Sequence, residues 1–426
     1  MQFQLARSQW WPLQKLQAAQ LTQLRAVLAH ASGTVPFYRE RLAAAGFDAR
    51  TFSWNDFFSL PLLSRGEAQA ADRDLLSTQL PKDHAPVAEG YTSGSTGKPV
   101  HFFSTSVEQF FWHALTLREH LWHRRDLRGK LAGIRAKVDT ADGHGWGPST
   151  DAVYETGPGF LLNIATPVRR QVDWLVERDP DYLLTHASNL QALAREFFGG
   201  SIRLGALKQV ISIGEAVTPE LRAACREAWN VGLADMYSAQ EVGYIALQCP
   251  DHEHYHVQAE NVLVEVLDEA GCACAPGSIG RVVVTSLHNF AMPFIRYDIG
   301  DYAEVGEACA CGRGLPVLRR IFGRTRNMLV LPNGDRSWPV YGLPKLARIY
   351  PIKQIQLLQK DLEHIEVNLV VEGTPGPLIE REMAAVITES LGHPFRIAFS
   401  YRREIPCAPS GKFEDFVCEI AGTAKG

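Results

Sequence analysis

The sequence has little of the features that mark specialised classes of proteins. It contains only 8 cysteines in 426 residues, too few for a small scaffold held together by disulfides. Its 43 basic and 47 acidic residues give a formal net charge of −4, and no block of Lys or Arg indicates a nucleic-acid or anionic membrane surface. No stretch reaches the roughly 18 apolar residues that a membrane span needs. We therefore expect a cytoplasmic protein that binds neither nucleic acid nor membrane, and whose partner is a small molecule.

The order of apolar patterns along the chain predicts an α/β fold. Between residues 85 and 255, short apolar runs alternate with helical patterns, which predicts a mostly parallel sheet covered by helices. One such unit has a strand at 208–213, with Thr218 as the N-cap and Pro219 as the first residue of the helix that follows. After 255, alternating Val and polar residues predict half-buried antiparallel strands. From 324 onward, strand and helix patterns predict a separate α+β domain of about 100 residues.

The segment 91–99, YTSGSTGKP, has the composition of a loop that binds phosphate. Glycines let backbone N–H groups approach an anion, hydroxyls add donors, and a lysine adds positive charge. It is not a Walker A loop, because Thr92 stands where the first glycine would be and Pro99 follows the lysine. Taken alone, this composition fits a flexible linker better, and the motifs downstream decide for phosphate binding. The residues that would surround the phosphates are Ser93, Gly94, Ser95, Thr96, Gly97 and Lys98.

Five further motifs follow that loop: SIGEAV at 212–217, MYSAQEVG at 236–243, RYDIGD at 296–301, FGRTRN at 322–327 and PSGKFE at 409–414. With the loop, they resemble the motifs of the adenylate-forming acyl-CoA synthetase and firefly-luciferase superfamily. Within it, the chain is most similar to phenylacetate-CoA ligases and coenzyme F390 synthetase-like proteins, including those of the capsule-biosynthesis type. The resemblance implies an adenylate-forming domain over 1–323, with a small barrel-like antiparallel part. It also implies a mobile C-terminal domain over 324–426.

The resemblance also implies a role for each motif in binding ATP and Mg²⁺. The glycine-rich loop, with Lys98 as a catalytic cation, would hold the departing pyrophosphate, and Glu241 would act as a catalytic ligand of Mg²⁺. Asp301 would accept hydrogen bonds from both ribose hydroxyls, since one carboxylate can take two donors, and Arg324 would reach the same sugar. The residues that would line the adenine are Gly214, Glu215, Ala216 and Tyr237, with the tyrosine stacked on the base.

Two positions depart from the family pattern, one near the α-phosphate and one that bears on the substrate. Gln240 replaces a hydroxyl that relatives place near the α-phosphate, and Ser238 replaces a glycine beside the acyl pocket.

Lys412 matches the catalytic lysine of the family, a cation that reaches the reacting atoms only when the small domain closes. Arg326 matches the hinge about which that domain rotates.

We therefore predict an AMP-forming acid–thiol ligase, in which ATP activates a carboxylic acid, with an aryl acid favoured, to acyl-AMP. Coenzyme A would then take the acyl group as a thioester, with release of AMP and pyrophosphate. The acyl pocket is expected near Trp146, Tyr154 and Phe160, although these aromatics would equally suit a packed core. Other acceptors stay open: a carrier-protein thiol, an amine, or nucleotidyl transfer. A non-catalytic nucleotide-binding protein of polysaccharide assembly and a homodimer also stay open.

Cysteines and histidines in the antiparallel region indicate a zinc site. Cys249, Cys309 and Cys311 supply three thiolates, and one histidine among 252, 254 and 256 would complete a tetrahedral set for structural Zn²⁺. We favour His256, at the start of a strand. The alternatives are reduced free cysteines with a polar histidine loop, and competition from the second pair at 272 and 274.

Overall fold

The computed structural model describes residues 1–92, 99–143, 145–199, 202–324, 327–339, 341–406 and 412–420. The predicted phosphate contacts at 93–98 and the predicted hinge at Arg326 lie outside these residues. Within the described chain, no helix is long and apolar enough to cross a membrane.

The N-terminal part is helical and packs on one face of the large sheet. Its helices are α1 (Gln2–Ser8), α2 (Leu13–Thr34), α3 (Pro36–Ala44), α4 (Trp54–Ser59) and α5 (Arg65–Ala71), followed by a 3-10 turn at Asp72–Leu75. Apolar side chains at helical spacing on α2, including Leu24 and Leu28, are fully buried in the main core. This burial fixes the helical layer against the sheet.

A hairpin of β1 (Val87–Tyr91) and β2 (His101–Thr105) flanks the glycine-rich segment. The strands of the large sheet that follow are β3 (Leu131–Arg135), β4 (Ala141–Gly143), β5 (Gly159–Asn163), β6 (Tyr182–Thr185), β7 (Gln209–Ile213), β8 (Gly232–Ala239), β9 (Gly243–Gln248), β10 (Tyr255–Val257), β11 (Val262–Leu267), β12 (Ile279–Ser286), β13 (Tyr297–Val305) and β14 (Val317–Arg324). Their order is β11-β12-β13-β14-β10-β9-β8-β7-β6-β3-β5-β4. Strands β5, β3, β6, β7 and β8 run parallel, and from β9 onward the pairing is antiparallel.

The helices between these strands are α6 (Ser106–Trp122), α7 (Pro148–Asp151), α8 (Val168–Arg178), α9 (Ala187–Phe197) and α10 (Pro219–Trp229). Helix α10 begins where the sequence predicts, because the Thr218 hydroxyl accepts a hydrogen bond from the backbone N–H of Leu221. Asn230, in the left-handed conformation, ends it. The α/β class is therefore confirmed, and the carboxyl ends of β7 and β8 meet at one edge of the sheet.

The C-terminal part has its own sheet and core. Its elements are β15 (Leu329–Val330), β16 (Arg336–Ser337), α11 (Leu343–Ile349), β17 (Ile352–Gln359), β18 (His364–Val371), α12 (Pro377–Leu391), β19 (Arg396–Tyr401) and β20 (Phe416–Cys418). The four-stranded sheet has the order β19-β18-β17-β20. Leu357, Val367 and Ile387 are fully buried in a cluster separate from the main core. The domain boundary at 323/324 stays a prediction, and β14 ends at that point.

Candidate functional site

A cleft of about 2310 Å³ lies between the large sheet and the C-terminal part. The predicted nucleotide-binding residues in the described chain all line it, although they are spread over about 200 residues of sequence. They are Gly214, Glu215, Ala216, Tyr237, Ser238, Gln240, Glu241, Asp301, Arg324 and Lys412. Tyr91 and Thr92, which precede the glycine-rich segment, also line the cleft. The topology therefore brings the predicted motifs together at the carboxyl ends of β7 and β8, where α/β sheets bind ligands.

Tyr237 and Asp301 form one polar wall of the cleft. The Tyr237 hydroxyl, on β8, donates a hydrogen bond to Asp301 Oδ2 at 2.8 Å. Arg324 Nε lies 3.8 Å from Asp301 Oδ1 and pairs in register with it across β13 and β14. The pKa of Tyr237 is raised well above its usual value, mainly by burial and next by the charge of the Asp301 carboxylate. The phenol therefore stays protonated and orients the Asp301 carboxylate.

Glu241 is buried in a second polar group just after β8. Its Oε1 atom accepts a hydrogen bond from Tyr297 at 3.4 Å and lies 3.9 Å from Arg65 Nη1. Arg65 also donates to the Tyr297 hydroxyl at 3.3 Å and to the Thr92 hydroxyl at 3.0 Å. Burial raises the pKa of Glu241, and the nearby guanidinium opposes that shift. Arg65 thus connects Glu241 with the residue that precedes the glycine-rich segment.

Sequence reasoning missed Arg65 and a second buried carboxylate, Glu108. Glu108 lies in the first turn of α6, where its backbone N–H donates to the Thr105 hydroxyl. The pKa of Glu108 is raised well above its usual value, mainly by burial and next by the charge of Glu241. Neither residue belongs to a motif, and the partners of Arg65 lie 27 and 232 residues away in sequence. No local pattern could have identified them.

Lys412 and Phe413, at the start of the segment 412–420, contact the turn after β7. Lys412 Cε approaches Gly214 so closely that a Cβ there would lie 3.3 Å from it. The next backbone N–H, of Phe413, donates to Glu215 Oε1 at 2.7 Å, and the backbone N–H of Ser188 donates to Glu215 Oε2 at 2.6 Å. Burial lowers the pKa of Lys412, and the charge of Asp301 opposes that shift. The lysine therefore shares the cleft with the Tyr237 and Glu241 groups.

Aromatic side chains line one part of the cleft, which we call the inner cleft: Trp112, Trp146, Phe160 and Tyr244. Trp146 and Phe160 line it as expected, whereas Tyr154 does not and is 43% exposed. That part of the prediction fails because the side chains of Val153 and Tyr154, just after α7, are exposed. Trp112 and Tyr244, which the sequence did not single out, also line the cleft, with their ring centroids 4.8 Å apart.

The predicted metal ligands come together beside β9, β10 and β14, which are neighbours within the large sheet. Cys249 Sγ lies 3.9 Å from Cys309 Sγ, and Cys311 Sγ lies 3.4 Å from His256 Nε2. One donor atom each from Cys249, His254, His256 and Cys309 lies within 4.8 Å of the others. A tetrahedral ion with Zn–S bonds of about 2.3 Å holds its sulfurs roughly 3.8 Å apart. This donor set therefore fits zinc, and two histidines, not one, are close enough to complete it.

Within the described residues, the predicted ligand Cys311 is not one of these four, and neither are the other candidates, His252, Cys272 and Cys274. The backbone N–H of Cys272 donates to Asp268, and Cys274 pairs with Val266 through its backbone. Cys272 is exposed and Cys274 is partly buried. The second cysteine pair thus belongs to the turn between β11 and β12.

The chain is similar over most of its length to curated phenylacetate-coenzyme A ligases. The ligase of Thermus thermophilus is 26% identical over 400 residues, which cover 89% of this chain and 83% of that protein. The ligase of Pseudomonas putida is 23% identical over 391 residues, covering 88% and 86%. No family model matches the sequence. The predicted resemblance to phenylacetate-CoA ligases is therefore confirmed.

Solved CoA ligases share the fold. A 2-hydroxyisobutyryl-CoA ligase in the postadenylation state aligns with a TM-score of 0.78 at 18% identity, over 97% of this chain and 92% of that chain. The same enzyme in the thioesterification state aligns with a TM-score of 0.65 at 19% identity, over 97% and 91%. The predicted class, an AMP-forming acid–thiol ligase, agrees with the relatives' names and with this fold.

Proposed function

We propose that this protein uses ATP to activate an aryl carboxylic acid as acyl-AMP and then transfers the acyl group to coenzyme A. One observation carries the proposal: the Lys412 ammonium, from the C-terminal part, enters the cleft formed by Tyr237, Asp301 and Glu241. A protein that only bound a nucleotide would not need a cation delivered by a second domain to that place. The names of the phenylacetate-CoA ligase relatives support the same reaction.

The residues of the cleft suit an in-line displacement at phosphorus. A carboxylate oxygen of the acid attacks the α-phosphorus of ATP, and the bond from that phosphorus to the pyrophosphate oxygen breaks. Lys412 would stabilise the negative charge that develops between acid and α-phosphate, where fixed donors and cations are most effective. Asp301, oriented by Tyr237, would hold the ribose hydroxyls. The coenzyme A thiolate then attacks the acyl carbonyl carbon, and AMP leaves with the electrons of the broken bond.

The residues that would hold Mg²⁺ are those around Glu241. When bound, the ion would neutralise charge on the phosphates of ATP. Glu241 is a buried carboxylate whose nearest cation, Arg65, is 3.9 Å away, so its ionised form is only partly compensated. A divalent cation would complete that compensation, which is why the site fits the ion.

Zinc would have a structural role in this protein. Two thiols and two imidazoles, of Cys249, Cys309, His254 and His256, meet beside β10 and β14, and Cys249 and His256 are almost fully buried. Four protein ligands leave no open position for a substrate, as is typical of structural zinc. The ion would tie the loop at 309–311 to β10 and would contribute to folding free energy.

The test is a product assay with ATP, Mg²⁺ and a panel of aryl, aliphatic and amino acids, each with and without coenzyme A. Mass spectrometry would identify the acyl product. An aryl-CoA thioester, with AMP and pyrophosphate in equal amounts, supports the proposal. An acyl-AMP that persists when coenzyme A is added would instead favour a carrier-protein thiol or an amine as the acceptor. No acid-dependent release of pyrophosphate would overturn the proposal.

A further inference from the structure

One face of α6 forms a wall of the inner cleft. Trp112, Thr116, Glu119 and His120 all line the cleft, and their spacing places them on one side of the helix. The Trp112 end of this face packs on Tyr244, which pairs in register with Ser238 in the Tyr237 motif. His120 is eight residues further along, about 12 Å at roughly 1.5 Å per residue. It therefore lies at the end of the wall remote from the Tyr237 motif.

His120 is held by a buried network of polar side chains. Arg125 Nη1 donates to His120 Nδ1 at 2.8 Å, its Nη2 donates to Glu119 Oε1 at 2.7 Å, and its Nε donates to Gln209 Oε1 at 2.8 Å. A guanidinium has no acceptor, so His120 Nδ1 must accept. Burial lowers the pKa of His120 to about 4, and the ring is neutral near pH 7. The ring proton is therefore on Nε2.

The charges of this network cancel. The Glu119 carboxylate and the Arg125 guanidinium are both buried and paired with each other. Within the described residues, no hydrogen bond from His120 Nε2 is found, and the ring meets Trp146 edge to face, with centroids 5.1 Å apart. What the network offers to the cleft is one neutral N–H donor beside an aromatic wall. Such a donor suits an uncharged oxygen acceptor and gains nothing from a plain hydrocarbon ring.

We propose that His120 is a specificity-determining residue, and that the acid is an aryl acid with a neutral oxygen substituent, such as a hydroxyl, on the ring remote from its carboxylate. This inference rests on the proposed function. Trp112, Trp146 and Tyr244 would enclose the ring, and His120 Nε2–H would donate to the substituent. An unsubstituted ring would cover the His120 N–H without giving it an acceptor. The enzyme would therefore discriminate against that acid in favour of one whose substituent accepts the hydrogen bond.

The experiment compares kcat/KM for pyrophosphate release with phenylacetate, 3-hydroxyphenylacetate and 4-hydroxyphenylacetate, and with the matching benzoates. The wild-type protein should prefer a hydroxylated acid over its parent by roughly threefold to tenfold, as one hydrogen bond to an uncharged group allows. His120→Phe should remove that preference. His120→Gln should keep most of it, because its amide can accept from Arg125 and still donate.

The outcomes separate this inference from the function on which it rests. Release with these acids, but with no preference in the wild-type protein for any hydroxylated one, overturns the inference alone. The same holds if the preference persists unchanged in His120→Phe. No release with any acid overturns the proposed function and the inference with it. Because the wild-type preference is measured directly, the test stands even if a His120 variant fails to fold.

Discussion

Glu215 accepts a hydrogen bond from the backbone N–H of Phe413 at 2.7 Å, across 198 residues of sequence. The same carboxylate accepts from the backbone N–H and the hydroxyl of Ser188 at the start of α9. A side chain of the turn after β7 thus links the large sheet to the segment that carries Lys412. The contact exists only while the C-terminal part is docked, so Glu215 stabilises the pose in which the lysine reaches the cleft.

Replacing Glu215 by Ala should therefore slow adenylation more than thioester formation. Loss of hydrogen bonds to a charged group should slow acyl-AMP formation roughly tenfold or more. The rate of thioester formation from supplied acyl-AMP and coenzyme A should stay close to that of the wild-type protein. Rapid-quench kinetics of the two half-reactions measures both. Glu227→Ala, an exposed glutamate on α10, is the matched control, and equal slowing of both steps in Glu215→Ala would contradict this role.

The purified protein should contain about one zinc ion per chain. Cys309→Ser should lose the metal and unfold at a lower temperature, because the remaining thiol and imidazole ligands are then no longer connected by the ion. Cys272→Ser changes an exposed cysteine outside the cluster, and should keep both zinc and melting temperature. Elemental analysis and thermal denaturation with and without a chelator check the two variants. Full stability of metal-free wild-type protein would show that the cluster is only a group of reduced cysteines.

The stability of the protein should depend on pH through His288. Burial lowers the pKa of His288 to about 4, and its Nε2 lies 2.8 Å from the carbonyl oxygen of Glu260, to which the neutral ring donates. Between pH 6.5 and about 4, the unfolded chain binds a proton that the folded protein excludes. The free energy of unfolding therefore falls with falling pH, by up to about 1.4 kcal/mol per pH unit for this one group.

His288→Gln keeps a donor for the Glu260 carbonyl but has no proton to bind in this range. The variant should therefore gain stability relative to the wild-type protein when the pH is lowered from 7.5 to 5. Parallel denaturant titrations at the two pH values cancel the contributions of all other groups. A difference between the two proteins that stays constant with pH would mean that His288 has the same pKa in the folded and the unfolded protein, and would contradict the effect of burial.

The sequence predicts the parts of this molecule that depend on local patterns. Helix α10 and its cap at Thr218 follow from propensity and spacing, and the residues of the cleft follow from short motifs. Arg65 and His120 could not be predicted in this way, because their environment comes from segments distant in sequence. Arg65 donates a hydrogen bond to the hydroxyl of Tyr297, 232 residues away, and the network of His120 includes Gln209, on β7.

The metal cluster lies between these two cases. Thiolate and imidazole chemistry indicates zinc from composition alone, and the structure brings Cys249 and Cys309 together across 60 residues. The choice of histidine could not be made from the sequence. It depends on how the chain enters β10, which leaves both His254 and His256 near the thiols.

The proposed function is tested most directly by acid-dependent exchange of labelled pyrophosphate into ATP, measured for the wild-type protein and for Lys412→Ala. The wild-type protein should catalyse exchange with an aryl acid, and the variant should lose roughly 100-fold or more of that rate while it still binds ATP. Lys345→Ala, which removes an exposed lysine of the C-terminal part, should exchange normally. Unchanged exchange in Lys412→Ala, or none in the wild-type protein with any acid, would contradict the role of Lys412 in adenylation.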